Sequence, residues 1–150
     1  MTLQEAANFF ESLKTETTKK SEIKVYEKFI HILTELKNRE FSKDEIQSLE
    51  AELETFNLKS NRENKIKFLK KALSKFEKFL KDNFSLTSKG YYTKLGTGLG
   101  SSFGILFGLV FLSGFERSLG IALGLSIGMI IGLIIGRSMD TKAMSEDKVL

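Results

Sequence analysis

Between residues 95 and 136 the chain carries only two charges, Glu116 and Arg117, set side by side. They divide the stretch into residues 95–115, twenty-one long, and residues 118–136, nineteen long. As helices these runs reach about 32 and 28 Å, close to the roughly 30 Å of bilayer hydrocarbon. An uncharged stretch of this length has no polar face to turn to water, and a helix is the form in which such a segment satisfies its own backbone in lipid. Each run is therefore expected to span a membrane. The short SGFER connection sends the chain straight back, so the expectation is an antiparallel two-span hairpin.

Glycine is placed in these runs with strict regularity. Gly96, Gly100, Gly104 and Gly108 lie four apart in the first, and Gly120, Gly124, Gly128, Gly132 and Gly136 lie four apart in the second. Glycine in a helix interior costs roughly 1 kcal/mol relative to alanine, so a compensating close contact is required. Residues four apart share one ridge of a helix. A bare ridge lets a second backbone approach, and in lipid, where little hydrophobic drive acts between helices, such seams are a main device of association. The nine glycines are accordingly read as helix-packing residues. Four residues turn 400°, so the row drifts by about 40° per step; a partner must cross with a right-handed sense, or the ends of the row must meet different neighbours. A second small-residue row, Ser118, Ala122 and Ser126, lies roughly opposite on the second run, as do Gly98 and Ser102 on the first. It leaves surface for further copies, and a homo-oligomer is expected.

In this spacing residues 95–137 resemble the glycine-zipper membrane segments of many small bacterial membrane proteins, some of which build oligomers or channels. The resemblance implies a mode of packing, shared by unrelated proteins, rather than an activity.

Flanking charge orients the hairpin. Lys81, Lys89 and Lys94 precede the first run and Arg137 and Lys142 follow the second, whereas the turn offers Arg117 beside Glu116. By the positive-inside rule both termini are expected in the cytoplasm and both spans in the plasma (inner) membrane. Tyr91 and Tyr92 suit the headgroup layer. The opening MTLQEAANFFESLK has neither a basic region nor an apolar core, so no secretory leader is expected.

The remainder of the chain is of another kind. All twelve glycines lie between Gly90 and Gly136, and proline is absent throughout. Apolar residues recur at helical spacing in the first 84 residues. Leu3, Ala6, Ala7, Phe10 and Leu13 mark one helix that should fade across TETTKK; Ile23, Tyr26, Phe29, Ile30, Leu33 and Leu36 mark a second over residues 21–38. Ser42 with Glu45 forms a capping box opening a third, with Ile46, Leu49, Leu53 and Phe56 in a narrow coiled-coil-like seam. Ser60 with Glu63 forms another, ahead of Ile66, Leu69, Leu73, Phe76 and Leu80. Strand signals are missing. The expected fold class is all-α: a three- or four-helix cytoplasmic bundle over residues 1–84, with a core marginal for its size, a juxtamembrane linker at 85–94, spans at 95–115 and 118–136 joined by a turn at 116–117, and a polar tail at 137–150.

Charge is banded along this layout. Residues 1–64 have a net charge of −3, residues 65–94 carry nine lysines against two acids for +7, and residues 95–150 balance at four against four. On a helical wheel Lys67, Lys70, Lys71, Lys75, Lys78 and Lys81 gather on one face of the fourth helix, opposite its apolar residues. A basic amphipathic helix just ahead of a span gains about 1 kcal/mol per lysine near anionic lipid. These six lysines are the expected contacts to anionic headgroups. The plainer alternative packs the apolar face into the bundle and leaves the lysines in solvent, and the two readings are compatible.

Catalytic chemistry finds little footing. The chain has no cysteine and a single histidine, His31, expected to be an exposed bystander. Gly96, Gly98 and Gly100 fall short of a dinucleotide fingerprint, because Ser101 stands where its last glycine belongs and no strand precedes it. Asp44, Glu45, Glu50, Glu52 and Glu54 read as a solvated helix face. No catalytic, cofactor-binding or metal residues are assigned, and nucleic acid is not an expected partner of the lysine band. The chain is expected to be a non-enzymatic, self-associating membrane protein that scaffolds or regulates a complex through an unidentified protein partner of the bundle. The alternative is a small oligomeric channel or membrane-permeabilising protein.

Overall fold

A computed structural model describes residues 1–58, 65–111 and 117–150. Among these residues the chain is all-helical, with six helices: α1 (Leu3–Glu16), α2 (Lys20–Lys37), α3 (Lys43–Thr55), α4 (Lys65–Phe84), α5 (Tyr91–Phe111) and α6 (Arg117–Ser145). The chain divides into two compact units, Met1–Leu86 together with Leu150, and Thr87–Val149.

The first unit is built from α1 to α4 around one apolar cluster. Phe10, Phe29 and Phe76 are fully buried there with Leu33, Leu36, Leu49, Leu53, Leu69 and Leu80. Phe10 of α1 stacks on Phe29 of α2 at a ring separation of 4.1 Å, and Phe56 meets Phe76 of α4 edge-on at 6.3 Å. Such aromatic pairs add to the stabilisation from buried area alone. Leu150 also belongs to this cluster.

The helix ends follow local chemistry. Ser42 caps α3 by the reciprocal pair expected of it: the Glu45 N–H donates to Ser42 Oγ at 3.3 Å, and the Ser42 N–H donates to Glu45 Oε2 at 2.8 Å. The Ser42 N–H and then the Ser42 hydroxyl, both donating to the carboxylate, hold the Glu45 carboxyl below its ordinary value. Thr2 and Glu5 form the same box at the start of α1. The threonine-rich segment does interrupt the helices, but only over residues 17–19, where the Thr17 hydroxyl donates to Glu22 at 2.7 Å. The seam of α3 is shorter than its sequence suggests, since Leu49, Leu53 and Phe56 are buried but Ile46 is 37% exposed. The capping box at Ser60 and Glu63, and the turn at Glu116, lie outside the described residues.

The second unit consists of α5 and α6. Both helices overrun the uncharged runs: α5 starts at Tyr91, ahead of Lys94, and α6 continues through Arg137, Asp140 and Lys142 to Ser145. Nothing in either extension breaks a helix, so charge marks where the apolar run ends and not where the backbone stops coiling. Asp147 ends α6 with a left-handed φ of 54°, the Lys148 N–H reaching the Ala143 carbonyl at 2.9 Å and the Asp147 N–H the Met144 carbonyl at 3.2 Å. This pattern satisfies carbonyls that the helix leaves open.

Candidate functional site

Two helices, Tyr91–Phe111 and Ser118–Ser145, are long and apolar enough to cross a membrane. Where the two approach most closely, glycine backbone faces glycine backbone. A Cβ added at Gly96 would fall on the carbonyl oxygen of Gly132, at Gly100 on that of Gly128, at Gly104 on that of Gly124, and at Gly108 on that of Gly120. The same imagined carbon at Gly104 would lie 3.0 Å from the Cα of Gly128, and at Gly100 3.0 Å from the Cα of Gly132. Gly136 closes the series against the backbone of Tyr92 and Thr93. As positions ascend along α5 their partners descend along α6, each by four. All nine glycines singled out from the sequence therefore belong to one seam. A contact held through successive steps of four requires the two helices to coil with a right-handed sense, because a period longer than 3.6 drifts that way.

The seam inverts the usual placement of apolar bulk. Gly104, Gly108, Gly120, Gly124, Gly132 and Gly136 are buried, while Phe103 is 68% exposed, Val110 66% and Phe111 69%. Only 11% and 22% of the most apolar windows of the two helices are buried. Gly98 is the exception among the glycines of α5, with nothing within 4 Å of an added Cβ. It lies on the outer side with Ser102, and the row Ser118, Ala122 and Ser126 is exposed on α6.

Polar groups in the apolar helices are served locally. Thr97 and Ser101 donate to the carbonyls of Thr93 and Thr97, each at 2.7 Å, Ser102 to Gly98 at 3.0 Å and Ser126 to Ala122 at 2.8 Å. At the start of α5 the orphan donors are met from a distance. Asp140 of α6 accepts the Tyr92 N–H at 3.0 Å, the Thr93 N–H at 2.9 Å and the Thr93 hydroxyl at 2.5 Å. A carboxylate here also faces the positive end of the α5 dipole. Beyond it, the Thr87 N–H donates to the Lys148 carbonyl at 2.9 Å, in a single parallel bridge of Thr87 with Val149. The sequence reading missed both contacts, which join residues 47 to 61 positions apart and leave no periodic trace.

On α4 the apolar residues Leu69, Ala72, Leu73, Phe76 and Leu80 are turned into the core of the first unit, so that face is already covered. Lys67, Lys70, Lys71, Lys75 and Lys78 are exposed, and Lys81 is half-buried. His31 is exposed on α2. Among the described residues no cluster of three histidine, aspartate or glutamate side chains is placed to hold a metal ion. Comparison with protein-family models, curated proteins and solved structures returned no match to this chain.

Proposed function

We propose that this chain is a non-enzymatic integral membrane protein whose glycine-seamed helices form an antiparallel two-span hairpin. The helical bundle and the C-terminal end would then face the cytoplasm, and the bundle would act as a membrane-anchored scaffold or regulator for a protein partner. The observation that carries this reading is the inversion in the second unit: glycine backbone inside, phenylalanine, isoleucine and leucine outside. In water so large an apolar exterior is an aggregation surface; in lipid it is the solvated face, and close backbone packing supplies the cohesion. The lysines of α4 serve as contacts to anionic headgroups, held on the outside of a bundle whose apolar face is already spent on its own core.

Self-association fits the same picture with a change of surface. The regular glycines are engaged between α5 and α6, so copies would meet through the outer rows, Gly98 with Ser102 and Ser118 with Ala122 and Ser126. A channel is less well supported, because the hydroxyls of Ser101, Ser102 and Ser126 donate to their own helices and neither apolar run contains an ionisable side chain to line a wet path.

The test is membrane extraction with a topology reporter. The chain should stay with the membrane pellet through an alkaline carbonate wash and need detergent to leave it. A periplasm-active reporter fused after residue 150 should be silent. Recovery in the soluble fraction would overturn the membrane reading, and an active reporter would overturn the orientation.

A further inference from the structure

A groove of about 430 Å³ on the first unit is lined by Lys20, Ser21, Lys24 and Lys28 of α2, by Lys70 of α4, and by Val25 and Leu73. Val25 and Leu73 are buried and make an apolar floor, while the four lysines are exposed around it. None of the four has a carboxylate partner among the described residues. Two acids that stand among them on α2 are committed elsewhere: Glu27 pairs with Lys14 at 3.2 Å, and Glu22 pairs with Lys19 at 3.4 Å and accepts from Thr17. The Thr17 hydroxyl, and then Lys19, hold Glu22 below the usual carboxylate range. Four ammonium groups thus share one concave site with no paired carboxylate among the described residues. Their mutual repulsion is relieved by any anion that enters.

The spacing selects the anion. Lys20, Lys24 and Lys28 lie on one ridge and extend over about 12 Å of helix, longer than one phosphate and suited to two held a few ångströms apart. Lysine acts on phosphate as a point charge without demanding a fixed fork geometry. We propose that this groove binds the headgroup of an anionic phospholipid carrying two phosphates. The inference rests on the membrane reading above, and connectivity favours lipid over a soluble ligand. Six residues separate the end of α4 at Phe84 from the start of α5 at Tyr91, a reach of about 20 Å when extended. The bundle is thereby tethered beside the headgroup layer, at a high effective concentration of lipid phosphate. This site differs from the six-lysine face of α4: it draws three of its four cations from α2.

The test uses the full chain in nanodiscs of phosphatidylcholine alone, of phosphatidylcholine with phosphatidylglycerol, and of phosphatidylcholine with cardiolipin at matched total charge. Each lysine is then acylated with an amine reagent and its labelling read by mass spectrometry. With cardiolipin, labelling at Lys20, Lys24, Lys28 and Lys70 should fall at least about threefold, and Lys43 should be unaffected. The double variant Lys24→Gln with Lys28→Gln should restore labelling at Lys20 and Lys70. Lys67→Gln with Lys78→Gln, which removes the same charge outside the groove, should not. Equal labelling in all three discs, or equal protection by phosphatidylglycerol, overturns the proposal while leaving the membrane reading intact. Protection by pyrophosphate in plain discs with none by cardiolipin also overturns it, assigning the groove to a soluble ligand. Failure of the chain to enter any disc overturns the membrane reading and the groove's lipid assignment together.

Discussion

The two units bury opposite things. In the first, phenylalanine and leucine fill the centre and lysine and glutamate face outward, the arrangement that water enforces on a small domain. In the second, the closest contact between helices is glycine backbone, and many of the bulky apolar side chains are left exposed outside it. One chain thus holds two solutions to helix packing, each suited to a different solvent. Where water drives association, large side chains gain most by leaving it. Where the surroundings are as oily as the side chains, burying them gains little, and cohesion comes from how closely the backbones approach.

The contrast can be broken most decisively at Gly104. A leucine there would place its Cβ on the Gly124 carbonyl oxygen, with the rigid helix backbone unable to yield. The expected result is loss of the α5–α6 pairing, read as loss of the thermal transition of the second unit in detergent. An unchanged transition would remove the seam as a determinant. In the first unit, Phe29→Ala should cost about 3–5 kcal/mol in denaturant unfolding, as truncation of a fully buried aromatic does. Phe103→Ala, an aromatic 68% exposed in the second unit, should change stability in detergent by no more than about 0.5 kcal/mol. Similar losses at the two phenylalanines would show that both units obey the same packing rule. At Gly98, where an added methyl meets nothing within 4 Å, the sign of the effect should reverse. Gly98→Ala should stabilise α5 in dilute detergent by up to about 1 kcal/mol through helix propensity. A loss there would place Gly98 in a close contact of its own.

Much of the architecture could be read before any coordinates, because it is written in local periodicity. The apolar positions of α1, most of those of α2 and α4 and the cap at Ser42 depend only on residues a few places apart, and so do the candidate glycine ridges; on α2 the face is turned slightly, so that Val25 and Ile32 are buried while Ile23 and Ile30 are half-buried. The box at Thr2 and Glu5 has the same signature as that at Ser42 and was legible by the same rule. The partner of the glycine ridges was not legible: a row of small residues states that something comes close, without stating whether it is the next helix or another copy. Ile46 fits its seam by spacing but is exposed, since spacing marks a face of the helix and not whether another element covers it. The α2 side of the lysine groove stayed hidden for a similar reason. Lys20, Lys24 and Lys28 look like ordinary solvated positions until folding sets Lys70 beside them.

A seam that repeats every four residues does not by itself define one alignment. Sliding one helix by a full repeat, about 6 Å, would again set glycine against glycine over most of its length, so the notches alone allow several settings. Asp140 supplies what the notches lack: it can reach the Tyr92 and Thr93 donors in one setting only, and the Thr87–Lys148 bond lies at the same end. The repeating ridge supplies adhesion and the single carboxylate supplies the address, much as a ratchet needs a pawl to choose among equivalent teeth.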